Sequence, residues 1–150
     1  MKPSLTRRKK QGGSAIVEFA IGVFVMTFIF TGTWEFGYCF YVYNNLISAV
    51  HNGAKYAALK TYDSDSATPS TAFSNAVKNW VVYGQSTTGT RAVAPGLTTS
   101  QVTLTPTFTN GVPTAMTVAL SGYSLNAVVA TFNISKPQIT YPYLGVYSPL

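Results

Sequence analysis

Read for hydrophobic and polar positions, the chain changes rhythm several times. From Ser14 to Trp34 (SAIVEFAIGVFVMTFIFTGTW) it is apolar all round, with Glu18 as the only charge. About 20 such residues at 1.5 Å each cover the roughly 30 Å hydrocarbon core of a bilayer, so the stretch predicts one transmembrane helix. Beyond it the pattern turns amphipathic. Cys39, Tyr43, Leu46, Val50, Ala54 and Ala57 recur at steps of three or four, and Asn44, Asn45, Ser48, His51, Asn52 and Lys55 fill the other face. The helix is expected to run to about Lys60, a rod of about 45 residues and roughly 70 Å, half in lipid and half in water. Gly22, Gly32, Gly37 and Gly53 each weaken it by about 1 kcal/mol relative to alanine but let neighbouring backbones approach.

The polar stretch TYDSDSATPS ends this helix, and a shorter one is expected next. Its N-cap reads as Thr68 with Pro69 at the first helical position. Its apolar face is Phe73, Ala76, Val77, Trp80 and Val81, and Gly84 closes it. Residues 85–100 are a loop by composition. Val102–Thr109 and Val112–Ser121 alternate with the period of a strand and are joined by Asn110-Gly111, a strong hairpin signal. Pro106 and Pro113 have no N–H to give a ladder and belong at edges or bulges. After Tyr123 the pattern fades: Ala127–Ile134 fits a strand or a helix, and QITYPYLGVYSPL a last short strand with a proline-broken tail. The fold class expected is α+β, a long N-terminal helix followed by a short helix and a small antiparallel sheet. There is no internal repeat.

Composition and charge add direction to this outline. Hydrophobic residues make up 47% and charged ones 9%, against roughly 25% charged in an ordinary soluble domain, so apolar surface must be buried in lipid or in a partner. The net charge of +6 looks like a nucleic-acid signal, but Lys2, Arg7, Arg8, Lys9 and Lys10 supply half of the ten basic residues. Beyond residue 13 five basic side chains face four acidic ones, which leaves no surface to neutralise phosphates and excludes nucleic acid as a partner. Arg7, Arg8, Lys9 and Lys10 precede the span, and the nearest basic residue after it is Lys55. The positive-inside rule therefore puts the N-terminus in the cytoplasm and the bulk of the chain outside, with Trp34, Tyr38, Tyr41 and Tyr43 as the aromatic belt on the far side. A secretory signal peptide would have an apolar core of about 7–15 residues and a small-residue cleavage site behind it. This run is longer and continues into FGYCFYVY.

Little in the chain points to catalysis. One cysteine, Cys39, excludes an internal disulfide or a multi-cysteine metal site, and its place on the packing stripe reads as core or lipid contact. His51 sits on a polar helix face near Ser48 and Lys55 and reads as solvated. Glu35, beside Trp34, reads as facing water. Asp63-Ser64-Asp65 lacks the glycine and distal glutamate of a calcium loop and reads as a helix-ending turn. The soluble part holds no recognisable nucleophile, metal constellation or histidine after His51, so no catalytic residue, cofactor, metal or small-molecule substrate is expected. Glu18 is the exception that asks for a reason. A carboxylate near the edge of hydrocarbon costs on the order of 2–3 kcal/mol and needs a partner.

The residues around it carry a resemblance. RRKKQGGSAIVEFA, followed by EFGYCFYVYNNLISAVHNGAKYAAL, resembles the TadE-like proteins of tight adherence (Tad) pilus systems over about residues 7–59, and GGSAIVEF resembles the cleavage site of type IV prepilins. The resemblance implies a pilin-like fold and a cut between Gly13 and Ser14 by a prepilin peptidase, with Glu18 fifth and Phe19 sixth in the mature chain. It also implies partners: other pilin or pseudopilin subunits and the inner-membrane assembly platform. The cut would expose an ammonium at Ser14, and an ammonium and a carboxylate brought together at low dielectric offset each other's desolvation. In prepilin-like proteins that glutamate aligns an incoming subunit. Phe24 stands about where many members carry a proline, so a proline-kinked span is not expected here. The layout that follows is a basic leader over 1–13, a transmembrane and amphipathic helix over 14–61, and a small extracytoplasmic α+β domain over 62–150, in a single-pass inner-membrane protein. The alternative is an uncleaved, signal-anchored binding module.

Overall fold

The computed structural model describes residues 12–127, 129–134 and 136–149. Its elements in chain order are α1 (Gly12–Leu59), α2 (Thr71–Tyr83), β1 (Val102–Thr109), β2 (Val112–Leu120), β3 (Tyr123–Asn126), β4 (Thr131–Ile134) and β5 (Gln138–Pro142). This is the α+β order that the sequence pattern implies. The chain divides into two compact units, Met1–Gly37 and Tyr38–Leu150.

The described part of the first unit is the beginning of α1. With no proline after Pro3 until Pro69, nothing interrupts the helical ladder, and α1 runs for 48 residues. Phe19, Phe24, Phe30 and Trp34 are all exposed, Phe19 at 74%. Two hydroxyls are satisfied within the helix: Thr27 Oγ1 donates to the Val23 carbonyl at 2.8 Å and Thr33 Oγ1 to that of Ile29 at 2.9 Å. Such back-bonding takes these two donors out of the apolar outer surface, as a hydrocarbon surrounding demands.

The second unit starts where α1 becomes amphipathic. Val42, Leu46, Ala49, Val50, Ala54 and Ala57 are buried. The expected stripe is thus rotated slightly, with Val42 and Ala49 at its centre and Cys39 and Tyr43 half-buried at its edge. Against it packs α2, which buries Phe73, Val77, Val81 and Val82. Gly53 makes this possible, because a methyl group there would overlap Val81 Cγ2. The cap of α2 is Ser70 rather than Thr68, and Pro69 precedes the cap instead of opening the helix. Ser70 Oγ accepts from the Phe73 N–H at 3.1 Å and donates to Asp63 Oδ2 at 2.7 Å, so the Asp63 turn orients the cap.

The sheet order is β1-β2-β5, antiparallel throughout. Asn110 (φ 52°) and Gly111 (φ 77°) both take the left-handed region that a two-residue hairpin turn requires. Pro106 lies on the edge strand β1. Pro113 lies in the central strand, next to the register shift between Thr107 and Phe108 and outside the Ala115–Ala119 stretch that pairs with β5. Val102, Met116, Val118 and Leu120 face the core. Within the expected strand-or-helix at Ala127–Ile134, Thr131–Ile134 is a strand: β3 and β4 form a separate antiparallel pair, with Tyr123 opposite Ile134 and Leu125 opposite Phe132. Tyr123 and Leu125 are buried.

After β5 the chain returns to the end of α1. The Leu144 N–H donates to the Ala58 carbonyl at 2.9 Å, the Tyr62 N–H to that of Val146 at 2.9 Å, and the Ser148 N–H to that of Tyr62 at 3.0 Å. The fully buried Tyr62 is the centre of this closure. Its ring meets Phe73 at 5.1 Å and Phe108 at 5.6 Å between centroids, and Tyr143 and Tyr147 at 6.4 Å. Tyr62 OH donates to the Ser66 carbonyl at 2.8 Å and Tyr143 OH to the Lys60 carbonyl at 3.0 Å. Burial pushes the phenols of Tyr62, Tyr123 and Tyr143 above the ordinary 10.0.

Candidate subunit-packing segment

The residues singled out around Glu18 fall at the start of α1. Gly13, Ser14, Glu18 and Phe19 are all helical and exposed. One helical turn separates Ser14 from Glu18, and Ser14 Oγ donates to Glu18 Oε1 at 3.2 Å. The carboxylate is therefore held beside the residue whose nitrogen a cut after Gly13 would free. Arg7, Arg8, Lys9 and Lys10 lie outside the described residues.

Next to this pair the helix carries a shallow apolar groove lined by Phe19, Gly22, Val23, Met26, Thr27 and Phe30. Its floor is Gly22, where an added methyl would meet nothing within 4 Å in this chain. Small residues flanked by large ones are what a second helix packs against when both are in lipid, since close backbone approach replaces the hydrophobic drive. Phe24 and Phe28 meet edge to face at 4.7 Å on the same helix.

Other candidate residues take different places from those expected. Glu35 does not face water: it is only 8% exposed. Its neighbours Trp34 and Phe36 are both exposed, so a reading based on Trp34 missed this. His51 remains exposed, but its Nε2 is hydrogen-bonded to Tyr141 OH and its ring meets that of Tyr141 edge to face at 5.2 Å. It ties α1 to β5, ninety residues away, and no sequence pattern announces that pair. Cys39 is half-buried and packs against the core. Among the described residues, no cluster of three or more His, Cys, Asp or Glu side chains could hold a metal ion.

Residues 13–55, the part of the chain that holds this pair, the groove and the amphipathic stripe, match the family model for TadE-like protein. This segment is TadE-like. The match begins at Gly13, next to Ser14, and ends within the amphipathic half of α1. It associates the chain with Tad pili. Together with a helix long and apolar enough to cross a membrane, it also associates the chain with membrane anchoring. No curated protein and no solved structure matches the chain.

Proposed function

We propose that the chain is a minor pilin or pseudopilin-like subunit that takes part in assembly of a Tad pilus. In this reading residues 1–13 are a leader, with Arg7, Arg8, Lys9 and Lys10 as its cytoplasmic anchor, and a prepilin peptidase cuts between Gly13 and Ser14. Residues 14–61 then span the inner membrane and extend beyond it, and 62–150 form the extracytoplasmic domain. The observation that carries the proposal is the position of Glu18 on the TadE-like segment, one turn after Ser14 on an otherwise apolar helix surface. Within one subunit the Ser14 hydroxyl answers part of the carboxylate's demand. The charge itself is answered when the Ser14 ammonium of a neighbouring subunit pairs with it, while the neighbour's helix settles into the Gly22 groove.

Two measurements test this. N-terminal sequencing of the mature protein is expected to begin at Ser14, whereas an intact Met1 supports the uncleaved, signal-anchored module. Glu18→Gln is expected to leave insertion and cleavage intact but to abolish piliation in cells that rely on this copy. Normal piliation by a cleaved, stably expressed Glu18→Gln protein would remove the pairing role.

A further inference from the structure

The order β1-β2-β5 gives this sheet two edges, and they differ. In an antiparallel pair alternate residues turn their N–H and C=O toward the neighbouring strand, and the rest turn them away. The Ser121 N–H donates to the Gln101 carbonyl at 2.9 Å, so by the register of β1 on β2 the outward positions ahead of the register shift are Val102, Leu104 and Pro106. This edge is blunted. The Val102 N–H goes to the Thr99 carbonyl, Pro106 has none, and α2 packs against β1. On the other side the Tyr143 N–H donates to the Thr114 carbonyl at 2.9 Å and the Leu120 N–H to that of Pro137 at 3.1 Å. With the register of β2 on β5, these bonds turn the main chain of Ile139 and Tyr141 toward β2 and that of Gln138 and Thr140 away from it. Gln138 and Thr140 are both exposed, and among the described residues nothing pairs with their two N–H and two C=O groups.

Unmet N–H and C=O groups in a row along a strand edge are completed by another strand. Length and charge narrow down which one. Pro142 has no N–H to extend the row, and Lys136 is the only charged side chain after Arg91, so the edge offers little to a long strand or to a strongly charged one. A second β5 fits it. Turned antiparallel with Ile139 opposite Ile139, it sets Gln138 opposite Thr140, and every outward group of these two residues on both copies is then met. Ile139 meets its counterpart in the close position that makes no main-chain bonds, on the half-buried side that it shares with Tyr141. The neighbouring register, with Thr140 opposite itself, sets Gln138 against Pro142 and leaves the Gln138 carbonyl without a donor. We propose that β5 is a contact between two copies of this chain, joined edge to edge and antiparallel about Ile139 so that their two sheets become one. The contact lies in the second unit and does not depend on the pairing of Glu18.

The test is disulfide trapping in the full-length protein in its membrane, with Cys39→Ala removing the one native thiol. Gln138→Cys and Thr140→Cys are placed in separate, co-expressed copies with distinguishable tags. In the proposed register these positions face each other at about 5.5 Å between Cα atoms, within reach of a disulfide, whereas each lies two residues out of step with its own counterpart. Mild oxidation is therefore expected to give a product of twice the chain's mass that carries both tags, in about tenfold higher yield than from either variant expressed alone. Adding Thr140→Pro to the Gln138→Cys copy removes an N–H that β2 does not use and is expected to cut the mixed product about tenfold. Absence of the mixed product, an equal yield from the single variants, its persistence with Thr140→Pro, or trapping only on a chain of different mass would each overturn the proposal.

Discussion

The two parts of α1 use one helix in opposite ways. Up to residue 37 its large apolar side chains are exposed, and an added methyl at Gly22, Gly32 or Gly37 meets nothing within 4 Å among the described residues. From Tyr38 onward the same helix buries one stripe and exposes the other, and its glycine, Gly53, is filled by Val81. The difference teaches where the burial energy comes from. The second part is stabilised by the chain's own α2 and sheet, whereas the first, among the described residues, has its apolar surface uncovered.

The largest expected effect separates the two parts most sharply. Tyr62→Ala removes a fully buried ring with four aromatic neighbours and is expected to cost about 3–5 kcal/mol in denaturant unfolding of the C-terminal unit in micelles. Phe24→Ala removes a ring of similar size from the exposed part and is expected to leave that unfolding unchanged. A large effect of Phe24→Ala would mean that the exposed part supports the fold of the second unit.

The glycines refine the contrast. Gly53→Ala drives a methyl into Val81 and is expected to destabilise the C-terminal unit by about 1–3 kcal/mol in the same assay. Gly22→Ala meets open space in the isolated chain, so helix propensity favours it by about 1 kcal/mol. If a neighbouring helix fills the groove, Gly22→Ala is nevertheless expected to reduce subunit crosslinking without altering thermal unfolding.

Within the second unit, Ser70→Ala deletes the acceptor for the Phe73 N–H and is expected to cost about 1 kcal/mol, visible as earlier fraying of α2 in hydrogen exchange. The smallest effect at neutral pH comes from the buried phenols. Their folded-state pKa values lie above the ordinary 10.0, so the fold favours the protonated form. This stability is fully present below pH 10 and is lost as pH rises through the raised values. A pH titration of unfolding is expected to be flat up to about 10 and to fall beyond it, with Tyr143→Phe shallower than the unaltered chain.

Wherever a periodic face or a turn dipeptide was long enough to act as a signal, the sequence was sufficient. The apolar span, the amphipathic continuation, the face of α2 and the Asn110-Gly111 hairpin all emerge as expected. The misses fall where a contact with another part of the chain decides and no periodic pattern announces it. Thr68 and Ser70 are equally good caps by residue type, and the Asp63 carboxylate decides between them. β3 and β4 are four residues each, too short for alternation to register, and Tyr123 and Leu125 are placed by the core rather than by propensity. The burial of Glu35 is not announced by its immediate neighbours, since Trp34 and Phe36 are both exposed. Ser14 and Glu18 are the opposite case: a spacing of four on a helix already puts them together.

The closure around Tyr62 also has a consequence in time. Residues 144–148 bond to Ala58 and Tyr62, and β5 completes the sheet on β2, so the end of α1 meets its partners only once residues 138–148 have been made. Loop closure over some eighty residues is slow compared with local helix formation. Tyr62 and the tyrosines that will surround it therefore wait uncovered until residue 148 has been made. A chaperone would find its client in that interval, and a stall late in synthesis would leave the end of α1 formed while the closure around Tyr62 cannot yet be made.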